Sequence, residues 1–109
     1  MKKTLLLSVA VLAAAALTAR AEDVKPIYEK ECAKCHGTDG KGETKMGKKA
    51  GAKDYTDPKF QETLKDENMF KVIKDGLKEG DKTKMKPAEN LSDAQIKALV
   101  AYMRAFKKK

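Results

Sequence analysis

Both cysteines and the only histidine of the chain fall in one run of five residues, Cys32-Ala33-Lys34-Cys35-His36. On a helix, positions three and four apart share a face, so Cys32, Cys35 and His36 project together from little more than one turn. Two thiols and an imidazole placed this way invite four kinds of chemistry. A Cys32–Cys35 disulfide would close too small a ring to constrain a helix. A thioredoxin-like dithiol opens a helix after a strand, whereas this pair ends a helix and no strand precedes it. A structural zinc site needs four ligands, and with no further Cys or His only carboxylates could complete it. The fourth possibility, C-x-x-C-H attachment of a c-type haem through two thioethers with the imidazole on iron, uses all three side chains.

The N-terminus points to export, which suits such chemistry. Met1-Lys2-Lys3-Thr4 is a basic head, Leu5 to Leu17 an uncharged apolar run, and Ala19-Arg20-Ala21 an A-x-A cleavage signal. The run of thirteen residues is short for a membrane span, which takes about 20. Residues 1–21 are therefore expected to be a cleaved signal peptide. Residues 22–109 would form one periplasmic domain that does not span the membrane. The whole chain carries 24 Lys and Arg against 16 Asp and Glu, net +8. Residues 1–21 hold three of the basic residues and no acid, leaving +5 for the domain. That surplus favours acidic partner surfaces. The aromatics sit at core-like spacings and the sequence reads as exported, so nucleic acid is not expected as a partner.

The elements that must position Cys32 to His36 read as helices. Asp23 to about Cys35 forms the first, with Asp23 as N-cap, Pro26 in its first turn, Tyr28 on the Cys32 side and Gly37 as its stop. Gly37 to Asp57 reads as a glycine-rich loop without strand alternation, long enough to wrap a prosthetic group. Asp57-Pro58 starts a short helix to Leu64, and Asp66 starts another over Glu67 to Asp75, stopped by Gly76. Lys78 to Asn90 reads as a loop. The last helix is marked by a Ser92/Gln95 capping box and a Leu91/Ile96 staple. Its apolar face is Ile96, Leu99, Val100, Met103 and Phe106.

Taken together, C-A-K-C-H-G with Tyr28 four before Cys32, the glycine-rich loop, the Lys84-Met85-Lys86-Pro87 stretch and the amphipathic last helix resemble the small class I c-type cytochromes. The likeness covers essentially all of residues 22–109. It implies an all-α cytochrome c fold of three to five helices around one haem c, held covalently by Cys32 and Cys35. The first and last helices would cross, with Tyr28 near Leu99 and Tyr102 or Met103. The family's electron carriers place a methionine sulfur on the iron opposite the histidine. Of the five methionines, Met1 goes with the signal, Met69 and Met103 fall at core spacing, and Met46 lies too close in chain to His36. Met85 matches the family position, so His36 and Met85 are the expected iron ligands.

The resemblance implies a monomeric electron carrier rather than an enzyme, serving redox partners with acidic docking surfaces. Lys45, Lys48, Lys49, Lys53, Lys82, Lys84 and Lys86 would frame the haem edge. The alternative is a haem sensor or peroxidase-like protein with a displaceable sixth ligand, against which stands the lack of a second histidine. Tyr55 is a candidate donor to a haem propionate. The family's proline after the haem motif is missing, so the His36 ring N–H is expected to meet another backbone carbonyl near Gly47.

Overall fold

The computed structural model describes residues 23–108. The signal-peptide reading of residues 1–21 lies outside them. Helix α1 comprises Lys25–Ile27, a π-helical turn Tyr28–Cys32 and Ala33–His36. In the π turn the Ala33 N–H bonds back to the Tyr28 carbonyl, which inserts one extra residue before the reactive run. Val24, one residue later than expected, takes the cap position. Asp23 still accepts the Lys25 N–H at 3.2 Å. Gly37, at φ +82°, ends the helix where expected.

Two expected loops contain regular structure. Residues Lys45–Ala50 form helix α2, capped by the Thr44 hydroxyl on the Gly47 N–H (2.8 Å) and stopped by Gly51 at φ +78°. Thr44 and Gly51 are ordinary start and stop signals, but six residues with Gly47 among them carry no apolar periodicity. Residues Leu77–Glu79 (β1) and Lys82–Met85 (β2) pair as an antiparallel hairpin that starts at Leu77 and occupies the first part of the expected Lys78–Asn90 loop. Its strands are too short and too lysine-rich to alternate. The available signal was Gly80-Asp81, a two-residue turn whose first member takes φ +62°.

The remaining helices match expectation. Helix α3 spans Pro58–Thr63 with the Asp57 carboxylate accepting the Lys59 N–H at 3.0 Å. Helix α4 spans Asp66–Asp75. Helix α5 spans Asp93–Arg104 with both halves of its capping box formed. The core joins α1 to α5: Tyr28 has no exposed surface, and Ile96 and Leu99 retain 1%. At the crossing the Tyr28 ring lies 4.8 Å from Tyr102 and 5.4 Å from Phe106, within the range of favourable aromatic pairing.

One polar hub ties the C-terminal helix to the α3–α4 junction. Arg104 donates to the Gln61 carbonyl (2.7 Å), Gln61 Oε1 (3.0 Å), the Leu64 carbonyl (2.7 Å) and Asp66 (2.8 Å). Gln61, 3% exposed, donates in turn to the carbonyls of Tyr55 (2.7 Å) and Met103 (3.0 Å). The Asp66 side chain is 71% exposed, so its ion pair is worth little, while the carbonyls facing Arg104 depend on it. Arg104→Met should therefore lower folding stability by about 2 kcal/mol. Asp66→Asn should cost under about 1 kcal/mol. Denaturant midpoints of the two variants measure the contrast.

Candidate haem site

A cavity of about 250 Å³ opens among the helices. Tyr28, Cys32 and His36 of α1 form one wall, with Lys53, Tyr55, Phe60 and Leu64 beside it. Asn68, Met69, Val72 and Ile73 of α4, Leu77 and Met85 of the hairpin, and Leu99 and Met103 of α5 complete it. Cys35 is half-buried just outside this wall. Among the expected site residues, Cys32, His36 and Met85 therefore meet at one largely apolar space although Met85 is remote in sequence. Met46 is 55% exposed and stands outside it. Met69 and Met103 also reach the cavity, each from a buried position on a core helix.

The end of α1 is held by its own carbonyls. The last four carbonyls of a helix lack intrahelical partners, and here they are satisfied from outside. The single hydroxyl proton of Thr44 is shared between the carbonyls of Lys34 (2.6 Å) and Cys35 (3.0 Å), and the Gly42 N–H donates to the His36 carbonyl (2.8 Å). Tyr28 Oη donates to Gly37 at 2.6 Å in a buried bond. Burial, reinforced by neighbouring Cys32, pushes the Tyr28 phenol above its ordinary pKa, so it remains a donor. Gly47 closes the arrangement, because a Cβ there would collide with the Cys35 carbonyl and approach the Gly42 carbonyl at 2.7 Å.

His36 Nδ1 is buried without a hydrogen-bond partner, so the expected bond to a carbonyl near Gly47 is not formed. The carbonyls of Cys35 and Gly47 are engaged by Thr44 Oγ1 and the Ala52 N–H. Burial lowers the imidazole pKa and so favours the neutral ring, the form that binds metals. Tyr55 meets that ring edge-on at 5.4 Å, and burial raises its phenol pKa. At Cys32 burial, then Glu31 and Cys35, push the thiol up to about 11. A redox dithiol needs the opposite shift. A neutral, desolvated imidazole beside a cysteine and a thioether in an apolar space suits a covalently held haem, whose faces are apolar and whose iron takes N and S donors.

Comparison with known proteins agrees. A family model described as cytochrome c oxidase, cbb3-type, subunit III matches residues 19–103. The chain belongs to the c-type cytochromes. A solved structure titled KustC0563 c-type cytochrome is 36% identical, with a TM-score of 0.67, covering 79% of this chain and 99% of its own. A tyrosine-to-phenylalanine mutant of Kustc0563 is 34% identical with a TM-score of 0.65, covering 78% and 99%. No curated protein matches the sequence. The cytochrome is thus small, all-helical apart from its hairpin, and built for one covalently attached haem c, as the likeness in sequence implied. Among the described residues, no helix is long and apolar enough to cross a membrane.

Lys53, one of the lysines expected at the haem edge, lines the cavity, whereas Asn68 in its wall was missed by sequence reasoning. Asn68 lies four residues before Val72, so extending the apolar face of α4 by one turn reaches it. In the cytochrome, Gly47→Ala should force the α2–α1 contact apart, costing about 2 kcal/mol and lowering Tm by roughly 10 °C. Gly51→Ala, with open space around the Cβ, should cost only about 1 kcal/mol from its backbone conformation. Calorimetry of both variants separates collision from strain.

Proposed function

We propose that this cytochrome is a periplasmic carrier of one electron, in which Cys32 and Cys35 would bond the haem and His36 and Met85 would bind its iron. The observation that carries the proposal is the convergence of Cys32, His36 and Met85 on one apolar cavity. Bound haem c supplies the one-electron chemistry, its iron alternating between ferric and ferrous states. The chain's part is to hold ligands and exclude water. His36 offers a neutral nitrogen whose ring is braced by Tyr55. Met85 offers a soft, uncharged sulfur, which favours the ferrous state and raises the reduction potential. With both positions filled by protein, no site is left for oxygen or peroxide. That supports electron transfer over sensing or peroxidation.

The first test is spectroscopic. Met85→Ala should retain covalently attached haem while losing the long-wavelength sulfur-to-iron charge-transfer band of the ferric protein, and its potential should fall. Met46→Ala should change neither. A band that survives in Met85→Ala but is lost in Met69→Leu or Met103→Leu would reassign the ligand.

Export rests on the A-x-A signal ending at Ala21, and mass spectrometry of the secreted protein should find Glu22 at its N-terminus. Leu77 lines the cavity and is also 46% exposed, so an electron partner can approach there. Lys82 and Lys86 are exposed nearby in chain, whereas Lys84 is half-buried and lies 3.8 Å from Glu79. Such a surface fits an acidic partner and a monomeric carrier. Electron-transfer rates with an acidic partner should fall as ionic strength rises, since the screening length shrinks from about 30 Å at 0.01 M to about 8 Å at 0.15 M. A flat profile would make the lysines solubility residues.

A further inference from the structure

Met85 ends strand β2, and the backbone at the foot of the hairpin is packed against a single glycine. Gly76 closes α4 at φ +81° and ψ 179°, a region that residues with a Cβ scarcely enter. A Cβ built there would lie 2.7 Å from the Met85 carbonyl oxygen, 2.8 Å from Pro87 N and 2.9 Å from Pro87 Cδ. These are backbone and ring atoms, which cannot swing aside as a flexible side chain would. Their other connections are also fixed. The Ala88 N–H donates to the Ile73 carbonyl at 2.8 Å, holding the chain just beyond Pro87 to α4. Leu77 pairs with Met85 across the hairpin, with a bulge between Leu77 and Lys78.

We propose that Gly76 is a positioning residue for the Met85 sulfur, its missing side chain setting how closely the end of β2 seats against α4 and hence how far Met85 reaches into the cavity. The proposal rests on the Met85 ligation proposed above. Between the pinned Ala88 and the hairpin pairing, the segment that must yield to an added methyl is Met85 to Pro87. A methyl group at residue 76 therefore acts on the ligand and not only on the fold. Gly80 supplies the control. It lies in the turn of the same hairpin with φ +62°, but a Cβ there meets nothing within 4 Å.

The experiment compares Gly76→Ala, Gly80→Ala and Met85→Ala in the haem-loaded protein, measuring attached haem, the sulfur-to-iron band, the reduction potential and imidazole affinity. Gly76→Ala should keep its covalent haem, lose at least half of the band, shift the potential down and bind imidazole at least tenfold more tightly. Gly80→Ala should keep the parental band and imidazole affinity even if its Tm falls. A parental band and affinity in folded Gly76→Ala, with Met85→Ala losing the band, would overturn the positioning role and leave the ligation intact. A band that persists in Met85→Ala would overturn both. Equal losses in Gly76→Ala and Gly80→Ala would reduce the effect to general backbone strain and also overturn it. If Gly76→Ala does not accumulate, Pro87→Gly decides, because it loosens the same contact from the opposite side. Tighter imidazole binding in that variant supports the proposal, and unchanged binding overturns it.

Discussion

The carbonyls that end the first helix must find donors while Cys32 and His36 of the same helix end face an apolar cavity. Most of the architecture around Cys32 to His36 follows from that double demand. Water cannot serve as the donor without flooding the cavity, so the protein supplies Thr44 Oγ1, the Gly42 N–H and Tyr28 Oη. Gly42 and Thr44 come from the segment just after the helix, and Tyr28 from within the helix itself. Tyr28 is the most consequential, because its hydroxyl is tied to the Gly37 carbonyl while its ring packs on Tyr102 and Phe106. The crossing of first and last helices and the fixing of the histidine's helix end are thus one contact. Aromatic packing holds the ring, and the buried bond of 2.6 Å orients it.

The hairpin's share of the cavity lining is built on different physics. Met85 is carried by a two-stranded hairpin, an element with marginal stability alone. Its exposed strands contribute little burial, so its placement depends on its foot, where Gly76, Pro87 and the Ala88–Ile73 bond meet α4. Helix α4 in turn is joined to α5 through Arg104 and Asp66, and α3 through Gln61. Gln61 also holds the Tyr55 carbonyl, and Tyr55 braces His36. The hairpin and the histidine's helix are therefore linked through polar contacts outside the cavity, those of buried Gln61 and the more exposed Arg104–Asp66 pair.

Much of this was legible in residues whose signals are local. The capping box of α5, Asp57-Pro58 at α3, and Gly37 and Gly76 as helix stops each act within a turn or two, and each landed as read. The helical spacing of the reactive run was readable for the same reason, and it brings Cys32 and His36 to the cavity while Cys35 stands just outside it. Helix α2 and the hairpin were not, because short exposed elements bury too little to impose a period on their sequence. The π turn in α1 also escaped: one shifted backbone bond leaves no mark on side-chain pattern. The environment of the His36 ring could not be found by spacing either, since Nδ1 is buried and meets no acceptor at all.

An attachment site and an electron carrier differ in how much of the chain they require. Thioether bonding and one imidazole need only α1 and the groups that cap it. A stable second ligand must arrive from a remote segment, and its reach is set by packing distances of a few tenths of an ångström, because protein interiors transmit displacement rather than absorb it. Met69 and Met103 also line the cavity but are buried side chains of core helices. Met85 is half-buried at a strand end, where only the local seating of the backbone decides its reach. On the proposed ligation, a hairpin seated by a glycine is the element on which the second ligand can be adjusted without disturbing the helices of the core.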